Sequence, residues 1–199
     1  MSAAQRIPFL GLTGSLAAGK SSALAALARL GAATISADDV VHELLGDARV
    51  AKLLVERWGE EVAPDGEIDR GRVGAIVFER PDELAWLEST LHPLVGRRIA
   101  AWREGLGEGT PLAVVEAPLL FETGMENQFE ATISVIADDE LRAERAGARG
   151  TGELEGRERR QLDQDEKAAR ATYVIVNDGS LAELEAALAE VLAELEASR

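Results

Sequence analysis

Residues Gly14-Ser15-Leu16-Ala17-Ala18-Gly19-Lys20-Ser21 fit the pattern G-x-x-x-x-G-K-[ST] in full. No other feature restricts the chain so narrowly, because such a loop has to join a strand to a helix. Its glycines let the backbone curl so that several N–H groups point inward at phosphate oxygens. The following helix aims its positive N-terminal end at the same place. Lys20 has the reach for the β- and γ-phosphates of a nucleotide. The Ser21 hydroxyl, with Ser22 next to it, is of the type that ligates Mg²⁺. Roughly one chain of this length in a hundred would carry the pattern by accident. The flanks argue against accident: residues 7–12 read as a short buried strand, and residues 21–30 as a helix rich in alanine and leucine that Gly31 stops.

The rest of the chain continues the alternation. Residues 32–36, 112–115, 131–137 and 173–176 read as four more strands, making five. Residues 40–58 read as mostly helical with a break near Gly46, and Ala63-Pro64-Asp65-Gly66 as a turn. A long helical pattern over 83–106 is expected to be interrupted by Pro93, after His92, and Gly105, Gly107 and Gly109 form a loop. The last helix is the clearest. Ser180 and Glu183 have capping-box spacing, and Leu181, Leu184, Leu188, Val191, Leu192 and Leu195 share one face. Strands alternating with helices predict an α/β fold with a parallel sheet covered on both faces. There is no internal repeat and no low-complexity linker, and 199 residues suit a single domain.

Composition limits the partners. The formal net charge of −15 repels nucleic acid and anionic membranes, so neither is expected as a partner. A nucleotide site in such a chain must be built locally, from backbone N–H groups and a few cations. The absence of cysteine excludes disulfides and thiolate metal sites and suits the cytoplasm. The N-terminus lacks the three-part form of a signal peptide, and no apolar run is long enough to cross a bilayer. A soluble protein, expected as a monomer, follows.

Ligands of such sheets bind beyond the C-terminal ends of the strands, and carboxylates fall there. The helix after Lys20 runs about 15 Å, and the strand over 32–36 returns about 16 Å. Asp38 therefore arrives at the edge that holds Lys20, as the candidate that orients an acceptor hydroxyl and takes its proton. Asp39 reads as the cap of the next helix. Glu116 ends the strand over 112–115, where it can orient a Mg²⁺ shell or be an ordinary strand-end charge. Between Arg142 and Arg170 the chain concentrates Arg142, Arg145, Arg149, Arg157, Arg159, Arg160 and Lys167 among glycines. That suits a lid over phosphates at about 145–165, although interspersed acidic residues also suit a solvated helix. Arg145 and Arg149 are four apart and share a helical face, so they are the preferred phosphate contacts. Arg157, Arg159 and Arg160 stay undecided.

With these residues in view, the chain resembles the dephospho-coenzyme A kinase family from end to end. The resemblance rests on Gly11-Leu12-Thr13-Gly14, Ala37-Asp38, Ile68-Asp69-Arg70, Val77-Phe78, Leu91-His92-Pro93, Pro118-Leu119-Leu120-Phe121-Glu122, Arg145 with Arg149, Gln161 with Lys167, and Val174-Ile175 with Asn177 and Gly179. It implies a three-layer P-loop kinase fold with a five-stranded parallel sheet, a helical substrate-binding subdomain (about 48–106) and a lid. It implies transfer of phosphate from ATP, with Mg²⁺, to the ribose 3′-hydroxyl of dephospho-coenzyme A. It further implies that Asp38 faces that hydroxyl, that Pro118 and Leu119 line the acceptor site with Glu116 nearby, and that Asn177 lies near the adenine. Asn177-Asp178-Gly179 reads equally as a plain turn. His92 reads as a structural or substrate-contact residue rather than a chemical one.

The sequence departs from the family at several points. Ser36 stands for the first carboxylate of an Asp-Ala-Asp, Ser15 and Ala17-Ala18 for more glycine-like residues, Thr172 for an aspartate and Arg142 for a glutamine. Two other functions remain as expectations to test. One is a kinase of the same fold acting on a nucleoside monophosphate or a small polyol acid. The other is a GTP-dependent switch, against which stands the lack of an Asn-Lys-x-Asp guanine-reading element.

Overall fold

Five apolar runs become strands; the three inner ones are buried on both faces of the sheet, whereas the edge runs are mostly half-buried or, at Val174 and Val176, exposed. The strands are β1 (Phe9–Gly14), β2 (Ala33–Ser36), β3 (Ala113–Glu116), β4 (Ala131–Ile136) and β5 (Tyr173–Val176). Their order is β2-β3-β1-β4-β5, and β1 pairs in parallel with β3 and β4, as β4 does with β5. The structure is a computed structural model that describes residues 7–148 and 161–198. The chain forms two compact units, one built from the chain up to Ile35 and from Leu106 onward, the other from Ser36–Gly105.

In the first unit, alternation along β1 separates two layers. Leu10 and Leu12 are fully buried in a core with Leu27 of α1 (Lys20–Arg29) and Leu184, Leu188 and Val191 of the C-terminal helix (Leu181–Ala197). Each such leucine contributes about 1.5–3 kcal/mol of burial. Gly11 and Thr13 face the other layer. A Cβ on Gly11 would sit 2.5 Å from the Leu120 side chain, and Phe9 packs on Phe129 at 4.8 Å between ring centroids. The C-terminal helix starts on the expected capping box. Ser180 Oγ accepts from the Glu183 N–H, and Glu183 accepts from the Ser180 N–H at 2.7 Å. That backbone donor holds the Glu183 carboxyl below its usual range. Thr172 and Thr132 exchange reciprocal hydrogen bonds of 3.1 Å between hydroxyl and backbone N–H, joining the start of β5 to β4.

The second unit is helical: α2 (Ala37–Leu45), α3 (Ala48–Trp58), α4 (Arg70–Glu79) and α5 (Pro81–Glu104). Its core gathers Leu45, Val50, Leu54, Val62, Val73 and Leu91. Glu83 is buried in it and fully engaged, accepting from Arg57 at 2.9 and 3.2 Å and from Trp58 Nε1 at 2.8 Å. The Arg57 guanidinium holds the Glu83 carboxyl below its usual range.

Two expectations need correction. Pro93 does not interrupt the long helix, since α5 runs through it. The carbonyl deprived of its donor belongs to Ser89, which is exposed to water, while Leu91, Val95 and Ile99 are buried and hold the helix on both sides. Asp39 is not the cap of α2: Ser36 is the N-cap, and Asp38 and Asp39 lie in the first turn, where they complement the helix dipole. The sequence reading also passed over α4, which Asp69 caps through the Gly71 and Arg72 N–H groups at 2.9 and 3.1 Å.

Candidate active site

Residues 15–19 connect β1 to α1, as the motif requires. α1 has no side-chain cap and no acidic residue in its first turn, so its N-terminal N–H groups remain available to an anion. The Ser15 hydroxyl is buried inside the loop and has no hydrogen-bond partner among the described residues. A buried orphan of this kind costs about 1–3 kcal/mol unless a ligand satisfies it. The Lys20 ammonium folds back to the Ser15 carbonyl at 3.1 Å. Ser21 is exposed and Ser22 half-buried at the head of α1. Ala17 adopts φ 59, a left-handed conformation that costs a residue with a Cβ about 1 kcal/mol.

Two side chains from distant sequence fasten this loop. Asn177, buried just after β5, donates from Nδ2 to the Ala18 carbonyl at 2.8 Å. Arg142 of α6 (Asp139–Ala148) donates from Nε to the Leu16 carbonyl at 3.1 Å and from Nη1 to Asp139 at 2.9 Å. Arg145, one turn on, donates to the Asn177 carbonyl at 3.0 Å. The half-buried guanidinium groups of α6 therefore both reach the loop or its fastener. Gly19 shows how tight this is. It has φ 102, and a Cβ there would lie 2.0 Å from Asn177 Nδ2. Gly19→Ala is therefore expected to weaken ATP binding tenfold or more, about 1.4 kcal/mol. Calorimetric titration checks this, and an unchanged affinity would refute the tight packing.

Glu116 ends β3 beside β1, in register with Leu12, and is buried. Pro118 and Leu119 follow it in an irregular turn and are half-buried. The Pro118 carbonyl accepts from Thr13 Oγ1 at 3.4 Å and from Lys167 Nζ at 2.6 Å. In the helical unit, Asp38 is exposed in the first turn of α2, two residues past β2, and His92 is exposed on α5. Arg149, Arg157, Arg159 and Arg160 lie outside the described residues, as does much of the expected lid. Hard oxygen donors suit Mg²⁺, and Ser21 and Glu116 supply them. Among the described residues no cluster of three or more acidic, His or Cys side chains could hold a metal ion alone.

The comparisons with known proteins point one way. Residues 8–183 match the family model described as CoaE, dephospho-CoA kinase. The chain belongs to the dephospho-CoA kinase family. A family member from Symbiobacterium thermophilum is 41% identical over 180 residues, covering 86% of this chain and 74% of that protein. One from Protochlamydia amoebophila is 36% identical over 191 residues, covering 92% and 94%. The crystal structure of TT1252 from Thermus thermophilus superposes with a TM-score of 0.84 at 36% identity, over 96% of this chain and 99% of that one.

For this dephospho-CoA kinase family member, the sequence locates the loop but not the bond of Arg142 to it or that of Lys167 to the Pro118 carbonyl. Arg142 stands in the sequence as one cation of the 142–170 stretch and as a departure from the family, not as a preferred contact, although it lies three residues before Arg145 and so on the same helical face. Lys167 stands in the sequence as one cation of that stretch and as part of the family resemblance, with no contact assigned to it. The helix that carries it, α7 (Gln164–Arg170), opens with an Asp163–Glu166 capping box that was legible in the sequence.

Proposed function

We propose that this chain transfers the γ-phosphoryl group of ATP to the ribose 3′-hydroxyl of dephospho-coenzyme A, releasing ADP and coenzyme A. The observation that carries the nucleotide half is the Ser15 hydroxyl, buried and without a partner among the described residues, in a loop that also holds the Lys20 ammonium and leads into the N-terminus of α1, which no side chain caps. Membership of the family supports the acceptor half.

In this reading the loop N–H groups, Ser15 and Lys20 hold the β- and γ-phosphates, and Arg145 and Arg149 stabilise charge on the transferred group. Asp38 accepts the proton of the 3′-hydroxyl while that oxygen bonds to the γ-phosphorus and the bond to the ADP oxygen breaks. Pro118 and Leu119 seat the acceptor, with His92 and Glu116 assisting, and Asn177 lies toward the adenine side of the loop it fastens. Ser21 would ligate Mg²⁺ and Glu116 would orient its water shell; the ion, when bound with ATP, neutralises phosphate charge.

A panel of acceptors in one ADP-release assay tests the proposal. Dephospho-coenzyme A is expected to outrun nucleoside monophosphates and shikimate-like polyol acids by at least about a hundredfold in kcat/KM. Equal or faster turnover of another acceptor would replace the assignment, and preference for GTP without transfer would favour a switch.

A further inference from the structure

Lys167 is the largest fully buried side chain among the described residues, and no step of the reaction above uses it. Its ammonium donates to the Pro118 carbonyl at 2.6 Å and to Glu122 Oε1 at 3.1 Å. Glu122 Oε1 also accepts the Leu162 N–H at 2.8 Å. Three residues along α7, Arg170 donates to the Phe121 carbonyl at 3.2 Å and lies over the Phe121 ring at 4.9 Å. One face of α7 thus presents two cations to two carbonyls that are themselves three residues apart. Residues 117–124 form no helix or strand: Ala117 N–H still bonds the Leu12 carbonyl at 2.9 Å and Thr123 N–H closes a turn on Leu119 at 3.1 Å, but the N–H groups of Pro118's neighbours build no continuous ladder to hold its carbonyl.

Burial holds the Lys167 ammonium below its usual range, and the charges of Glu122 and Glu116 offset only part of that. A buried ion pair of this kind rarely gains net stability over an apolar side chain of the same volume. What the ammonium does, and a methionine could not, is fix a carbonyl in an irregular segment. That carbonyl belongs to Pro118, two residues beyond Glu116.

We propose that Lys167 is a positioning residue that sets the Pro118-Leu119 segment and the end of β3 for the acceptor. The inference rests on the proposed acceptor site. Because the natural chain has no cysteine, Lys167→Cys can be S-aminoethylated in denaturant and refolded, restoring an ammonium at nearly the same reach. A second variant, Lys167→Met with Glu122→Gln, removes both charges while keeping an acceptor for Leu162, so that a failure to fold does not obscure the result.

In either variant kcat/KM for dephospho-coenzyme A is expected to fall about ten- to a hundredfold through a raised KM. The Kd for ATP should stay within about twofold, and aminoethylation should restore the acceptor KM. A folded variant with the wild-type acceptor KM, or one that loses kcat alone as inactive protein would, overturns the proposal. Amide exchange over 117–124 separates the two readings. Exchange in the double variant about tenfold faster than in the wild type upholds the positioning role even if dephospho-coenzyme A proves not to be the acceptor. Unchanged exchange rejects that role whatever the acceptor.

Discussion

Asp38→Asn is expected to lower kcat about a thousandfold while leaving the Kd for ATP within about twofold. Asparagine keeps the size and the hydrogen-bonding oxygen of the side chain but has no place for the acceptor proton. The substituted residue is exposed in the first turn of α2, so the fold should tolerate it. The loss should therefore appear in the chemical step. Single-turnover phosphoryl transfer, measured with the acceptor saturating, isolates that step. A kcat within a few-fold of wild type would remove Asp38 from the reaction and return it to the role of complementing the helix dipole. Asp39→Asn, one residue on, serves as the control and is expected to change kcat less than about threefold.

Lys20→Met should lower kcat by about 10²–10³, the scale on which a preorganised donor aimed at developing charge usually acts. Methionine matches the length of the lysine stem, so the loop keeps its volume and loses only the cation. Affinity for ATP should fall as well, because in the proposed site Lys20 would neutralise charge in the bound nucleotide and in the transition state alike. The distinguishing measurement compares ATP with ADP. ADP affinity should fall less than ATP affinity if Lys20 reaches the γ-phosphate, and equal losses would place the ammonium on the β-phosphate alone.

Local chemistry made much of the molecule legible. The phosphate loop, β5 and the C-terminal helix each depend on interactions within a few residues: a glycine permitting a left-handed turn, an apolar run, a Ser–Glu capping box. Pro93 misled for the same reason. Its local cost is real, but burial of Leu91, Val95 and Ile99 on one side and water at Ser89 on the other outweigh it. Thr172 looked like a lost aspartate, and only the structure reveals the exchange of hydrogen bonds with Thr132.

By itself the sequence determined that a glycine-containing loop would join the first strand to the first helix, and that Lys20 and Ser21 would stand at the head of that helix. It also determined the alternation that makes a parallel sheet. Only the tertiary structure decided what holds that loop in shape and what fixes the segment after β3. Asn177 meets Ala18 across 159 positions, Arg142 meets Leu16 across 126, and Lys167 meets Pro118 across 49. Contacts over such separations leave no periodicity in the chain. They exist because the sheet order brings β1 beside both β3 and β4, with β5 next to β4, and so closes loops that no local rule anticipates.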